Sequence, residues 1–360
     1  MVLFLRPERP CMDRRPVRRV RVVVRPTARR RCHLRTSRLL LSLSVLVVSG
    51  VGLFGFSPAP NFASSTRAAA WEPVSWVRCC TLLTLYGRGF ATAPGLGSLG
   101  QVKTPEGVQQ RLAGSEMAIS RLTRRPVRVA IHVIYGLAAP CAAARHCLLY
   151  LDDTGVNIVS RYILPARRHG WLVILDDQLG SSTPEREMRR LIRRGYLRYD
   201  NVEVAFDPEF RSTPGQREPG QPVGFVTGGQ INRAAELLDA YARQQRLRHQ
   251  KLLLVHRYTP EMVRDISQLR TRLQGVKIAL IMDGIGPAAA KAGMYRSLMH
   301  AATLRGLLPG IKLFPASPYD PPATWDRPLL SWEQIFGGRS LLGRFVDPLL
   351  RPIPRVIVMT

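Results

Sequence analysis

Lysine is almost missing from this chain. Of 53 basic residues only five are lysine (Lys103, Lys251, Lys277, Lys291 and Lys312), and the formal net charge is +28. Selection for phosphate binding has no need to exclude lysine so nearly completely, because both basic side chains serve as phosphate partners. A GC-rich coding sequence explains the arginine excess more simply. No RNA- or DNA-binding motif is present, so nucleic acid is not an expected partner. Nucleotide signatures are missing as well: no GxGxxG or Walker motif follows the first strand-like run. The six cysteines show neither CxxC spacing nor the cysteine–histidine spacing of a zinc site. Cys141 and Cys147 either pair in an oxidising compartment or form a free, buried pair. No internal repeat is visible, and no metal or other cofactor is implied.

Acids are scarce at the start. Residues 1–38 hold 13 arginines against Glu8 and Asp13, so a large part of the excess charge lies in a basic leader. Leu39–Phe56 (LLLSLSVLVVSGVGLFGF) follows as an 18-residue run without charge. That length is at the lower limit for a bilayer span and slightly long for the apolar core of a signal peptide. The preceding arginines favour a cytoplasmic N-terminus with everything downstream outside. Export, or tethering to the membrane through Leu39–Phe56, is therefore the expectation. The alternatives are an organellar transit peptide and an upstream stretch that is not translated. Residues 57–125 recur in Pro, Ala, Gly and Ser and read as a largely irregular linker, with one short helix near Gly107–Leu122.

From residue 126 to the end the texture changes. Short aliphatic runs alternate with helical patterns, as in parallel βαβ units. The runs are VRVAIHVIY (127–135), WLVILDD (171–177), VEVAFD (202–207), KLLLVHR (251–257), KIALIMD (277–283), IKLFP (311–315) and RVIVM (355–359), with PVGFV (222–226) as a weaker candidate. Continuous apolar runs imply strands buried on both faces. Thr183-Pro184-Glu185 and Thr259-Pro260-Glu261 each place an N-cap before proline at a helix start. The expected fold is a TIM-like (β/α) barrel of seven or eight parallel strands over 126–360; an open doubly wound sheet is the alternative.

Polar residues gather where these runs end: Asp176 and Asp177, Asp207 and Glu209, His256 beside Arg257, and Asp283, with Lys312 inside the sixth run. In a parallel barrel these ends meet on one face, where active sites are built. Each aspartate could instead cap the following helix. His132, inside the first run, reads as a satisfied core residue. Asp320 and Asp326 lie in a Pro-rich loop that could fold over the mouth, with Tyr319 and Trp325 as stacking surfaces.

The segments LVILDDQLGSS, VAFDPEF, KLLLVHRYTPEMV, IALIMDGIGP and GIKLFP resemble a group of uncharacterised exported bacterial proteins, some of them lipoproteins, with glycosidase-like barrels. The resemblance covers about Val127–Thr360 and brings no settled activity. Asp176, Asp207, Glu209, His256, Asp283 and Lys312 sit at matching positions. The group tends to have Gln where Arg257 stands, an aromatic-acidic stretch in place of Pro315-Ala316-Ser317, and a final Tyr-Gln in place of Met359-Thr360.

These readings lead to a carbohydrate-active hydrolase, with Glu209 as acid, Asp283 as base or nucleophile, and Asp176 or Asp207 tuning them by like-charge proximity. His256, Lys312, Asp177 and Arg257 would hold substrate, a carbohydrate or cell-wall polymer. Two other classes compete. One is a non-catalytic envelope protein that binds glycan at the same mouth. The other is metal-assisted hydrolysis through Asp176, Asp207, His256 and Asp283, which no short ligand motif supports.

Overall fold

Eight strands, each in parallel register with the next, close on themselves. The computed structural model describes Ser75 and residues 79–90, 97–141, 145–212, 219–303, 306–318, 321–340 and 342–360. The leader 1–38 and the segment Leu39–Phe56 lie outside the described residues. Among the described residues, no helix is long and apolar enough to cross a membrane.

The barrel strands are β1 (Thr81–Gly87), β2 (Val127–Cys141), β3 (Leu172–Asp177), β4 (Val202–Phe206), β5 (Lys251–Arg257), β6 (Val276–Met282), β7 (Leu308–Leu313) and β8 (Val356–Met359). Each pairs with its neighbours in sequence, and β1 closes the barrel by pairing both β2 (Leu83 opposite Val129) and β8 (Leu83 opposite Ile357). The architecture is the expected TIM-like (β/α) barrel. Outside it run α1 (Pro105–Thr123), α2 (Leu164–Arg168), α3 (Pro184–Arg193), α4 (Gly228–Gln244), α5 (Ala288–Thr303) and α6 (Trp332–Phe336). Thr104 and Thr183 cap α1 and α3 ahead of proline, and Thr227 with Gln230 forms a capping box on α4.

Three expectations need correction. Residues 57–125 are not linker throughout: Thr81–Gly87 is a fully buried barrel strand, and the short helix expected near Gly107–Leu122 is the 19-residue α1. The weak run PVGFV is not the eighth strand. Its end, Val226–Thr227, pairs with Val263–Arg264 in a separate two-stranded sheet. Thr259-Pro260-Glu261 starts only a single 3-10 turn, Pro260–Met262, and its Thr259 side chain does not cap. The chain leaves the turn at once, because Val263–Arg264 pairs as a short strand with Val226–Thr227.

Two apolar layers hold the fold. The larger lies between strands and helices and includes Leu83, Val173, Phe206, Leu253 and Leu280. The smaller fills the barrel with Leu82, Ala130, Ile174, Ala205, Leu254, Ile281 and Val358. Small residues are needed inside: a Cβ at Gly310 would collide with Ile281 and crowd Val356. Strand periodicity then fixes what else faces inward. His132 lies between Ala130 and Ile134, and Asp176 follows Ile174 by two, so both project into the interior. At the top of β2 the pairing with β3 shifts register between Ile134 and Gly136, and the strand continues past the barrel to pair antiparallel with Arg145–Tyr150. A Cβ at Gly136 would overlap the Asp177 carboxylate, so any larger residue there would have to displace that side chain. Close by in sequence, Cys147 is disulfide-bonded, as are the adjacent Cys79 and Cys80.

If β1 closes the barrel, Leu83→Ala should lower the unfolding free energy by about 2–5 kcal/mol, as for a large-to-small change in a packed core. Denaturant unfolding measures it; a change below about 0.5 kcal/mol, the range of surface sites, would return 81–87 to the linker.

Candidate active site

The interior polar residues form a continuous chain from the middle of the barrel to its C-terminal mouth. Thr84 Oγ1 lies 3.4 Å from His132 Nδ1, and His132 Nε2 lies 3.1 Å from Asp176 Oδ2. The same Asp176 oxygen is 3.2 Å from His256 Nε2, an ion-pair contact rather than an aligned hydrogen bond. His256 Nδ1 is 2.8 Å from Asp283 Oδ2, and Lys312 Nζ donates to that oxygen at 2.9 Å. Tyr86 packs into the chain, edge-on to His132 with ring centroids 4.9 Å apart, and its face lies 4.0 Å from the Lys312 ammonium. All these groups are buried.

Above the chain opens a cavity of about 570 Å³. Four of its polar lining residues are Asp207, Glu209, Asp283 and Lys312. Aromatic walls come from Tyr86, Phe210, Tyr258, Phe314 and Trp325. Asp207 Oδ1 accepts from the Glu209 backbone N–H at 3.2 Å, the turn that Pro208 stiffens, while its Oδ2 is buried without a hydrogen-bond partner.

The environment divides the carboxyls into two kinds. Burial pushes the Asp176 carboxyl up, but His256 and His132 outweigh it and hold it well below the usual range. Asp283 is likewise pushed up by burial and brought down further by Lys312 and His256. Asp207 and Glu209 go the other way. Burial and the neighbouring Asp283 push Asp207 up to about 7, against the pull of His256 and Lys312. Burial, Asp207 and Asp283 push Glu209 up to about 8. Burial lowers His132 to about 4, so it is neutral. Burial also disfavours the His256 cation, yet Asp176 and Asp283 together raise it to about 10. Near neutral pH the site thus holds ionised Asp176 and Asp283, cationic His256 and Lys312, and a protonated Glu209.

One oxygen each of Asp207 and Asp283 and a nitrogen of His256 lie within 4.8 Å of one another. The donor types would suit a divalent ion, as would those of a second group, His132, Asp176 and His256. Lys312 Nζ and His256 Nδ1 already contact Asp283 Oδ2, whereas His256 Nε2, Asp176 Oδ1 and Asp207 Oδ2 are buried without a hydrogen-bond partner.

Of the expected site residues, Asp207, Glu209, Asp283 and Lys312 line the cavity, and His256 and Asp176 lie beneath it. Two do not belong. Asp177 follows Asp176 in an extended strand and projects to the opposite, outer face, next to Gly136 and near Glu187. There burial and the Glu187 charge push its carboxyl well up. Arg257 is turned outward for the same reason and is spent on the carbonyls of Thr259 (3.2 Å) and Pro260 (3.5 Å). In the Pro-rich loop, Tyr319 and Asp320 lie outside the described residues. Trp325 does line the cavity. Asp326 is a clasp instead: it takes the buried Lys291 ammonium at 2.6 and 2.8 Å and accepts the backbone N–H groups of Gly286 and Phe314. The sequence reading missed Tyr86 and Thr84, which sit in the strand taken for linker; the unbroken run TLLTLYG was the signal.

The chain matches no family model and no curated protein. Fold and site geometry alone therefore carry the functional reading.

Glu209 gives a stability test. Its folded pKa is raised, so the folded state holds a proton that the unfolded chain releases near pH 4 to 5. That contribution is lost as pH rises to about 8 and beyond. Glu209→Gln removes it: the variant should match wild type in Tm at about pH 5 and exceed it at pH 8 and above. Equal Tm differences at both pH values would contradict the raised pKa.

Proposed function

We propose that this barrel is a carbohydrate-active hydrolase that cleaves a neutral glycan outside the cytoplasm. One observation carries the reading: a protonated carboxyl, Glu209, and an ionised one, Asp283, line the same aromatic-walled cavity at the barrel mouth. Glycosidic cleavage needs that division, one group donating to the leaving oxygen while the other acts as nucleophile or activates water. Glu209 is the acid. Asp207 helps keep it protonated. Asp283 is the nucleophile or base, its charge sustained by Lys312 and His256. Both contacts fall on Oδ2.

Substrate charge follows from the same balance. Lys312 and His256 are matched by Asp283 and Asp176, and among the described residues no arginine lines the cavity, although the chain carries +28. An anionic sugar would find no unmatched cation there, whereas a neutral ring can stack on Trp325, Tyr258 or Phe314. The extracytoplasmic setting rests on the apolar segment Leu39–Phe56 behind its arginine leader and on the likeness to exported proteins.

Release of reducing ends from a panel of neutral glycans tests the proposal. Glu209→Gln and Asp283→Asn should each reduce turnover by about 10²–10⁴-fold, the usual worth of a positioned acid or base. Unchanged hydrolysis in both variants would sink the assignment. Glycan binding without turnover of any substrate would favour the non-catalytic envelope protein instead. Wild-type turnover should fall as pH rises through about 8, where Glu209 loses its proton.

A further inference from the structure

The starts of the barrel strands carry a charge pattern of their own. All eight strands are parallel, so their starts gather at the end opposite the mouth. The stretches 124–126, 167–171, 194–201, 245–250, 269–275 and 348–355 lead into β2, β3, β4, β5, β6 and β8, and each holds two arginines. Asp200 is the one acid in all six. Backbone hydrogen bonds join the strand starts side by side. Thr81 N–H donates to the Pro126 carbonyl at 3.0 Å, Val173 N–H to that of Asn201 at 2.7 Å, and Lys251 N–H to that of Gly275 at 2.8 Å. We infer that this arginine-rich rim is a docking surface for a bilayer that carries anionic lipid headgroups, with the barrel mouth facing away from the membrane.

Ordinary causes do not account for the pattern. A coding bias toward arginine acts along the whole chain and has no means of sorting acids to one end. The stretches that leave β1 to β7 at the mouth (88–104, 142–157, 178–183, 207–227, 258–268, 283–287 and 314–331) together hold ten acids against seven basic residues. Helix dipoles favour cations at helix C-termini, and α1 to α4 end near the rim. Yet 269–275 follows a single 3-10 turn and 348–355 a two-stranded hairpin, so no α-helix dipole explains their arginines. Arg194 and Arg270 are taken within the fold, the first by Asp152 and Asp153, the second by Glu236. Arg124, Arg167, Arg198, Arg246, Arg248 and Arg272 are exposed and enter no ion pair among the described residues.

The course of the chain selects a membrane among anionic partners. It enters the barrel at Thr81, the start of β1, and hence at this rim. Leu39–Phe56, the apolar segment expected to tether the protein, precedes that point by residues 57–80, which span at most about 85 Å. A barrel held so stays within reach of headgroups, where each basic side chain close to an anionic surface is worth roughly fivefold in partition. Nucleic acid has no such link, and the aromatic surfaces on which bases could stack line the cavity at the other end. Docking rests on the membrane-tethered half of the reading above and is independent of hydrolysis.

The test is arginine modification by phenylglyoxal, read residue by residue by mass spectrometry. The full chain is labelled with vesicles of phosphatidylcholine alone or mixed equally with phosphatidylglycerol. On the mixed vesicles Arg198, Arg246 and Arg248 should label about tenfold more slowly than on the neutral ones, as for a rim docked about nine-tenths of the time. Arg264 and Arg327, exposed on stretches that leave the strands at the mouth, should label alike on both. Salt at about 1 M, where the screening length falls to about 3 Å, should abolish the difference. The combined variant Arg198→Glu, Arg246→Glu and Arg248→Glu should leave Arg124 and Arg167 labelled alike on both vesicles. Equal labelling of the wild-type rim on both vesicles would overturn the inference even if the triple variant failed to fold. So would protection of the rim by soluble polyphosphate or DNA but not by the mixed vesicles. A protected rim without glycan hydrolysis would remove the hydrolase reading alone, and hydrolysis with an unprotected rim would remove docking alone.

Discussion

Two carboxylates share one imidazolium, and the upper half of the barrel is arranged around that contact. Asp176, His256, Asp283 and Lys312 alternate in charge and sum to zero, all within the barrel interior. Removing one member would leave an uncompensated buried charge, which is far more destabilising than the intact array is stabilising. Apolar residues of similar size would give a core at least as stable. Stability therefore does not account for these four ionised groups, and the array lies directly under the cavity at the barrel mouth.

The fold was largely legible from residue 126 onward because parallel strands buried on both faces leave a plain trace. Runs such as WLVILDD and KLLLVHR have no polar interruption until the strand emerges at the mouth. Thr81–Gly87 has the same texture but stands alone amid Pro, Ala, Gly and Ser, and an isolated run has no neighbour in sequence to suggest pairing. Its partner β8 lies at the opposite end of the described chain.

The site was legible in membership but less so in direction. Adjacent pairs, Asp176-Asp177 and His256-Arg257, both look like mouth residues when only the ends of runs are considered. The period of two in a strand admits one of each pair to the interior, and which one depends on phase, set by neighbours such as Ile174 and Leu254 that pack inside. Asp326 was misplaced for another reason. Its loop does reach the mouth through Trp325, but the carboxylate turns inward to join Lys291 and the backbone of Gly286 and Phe314, tying three segments together. A partner as distant as Lys291 leaves no pattern in sequence.

The closing seam of the barrel also sets the order in which the protein can become competent. β1 finds its last neighbour only in β8, at the far end of the chain, so loop closure there spans nearly every other strand. Tyr86, on β1, meets the Lys312 ammonium across that seam, with β8 between their strands. The His132–Asp176–His256 contacts, which lie on β2, β3 and β5, have all their strands without β8, whereas the aromatic wall over Lys312 needs the seam closed. Closure of the barrel thus completes the cavity.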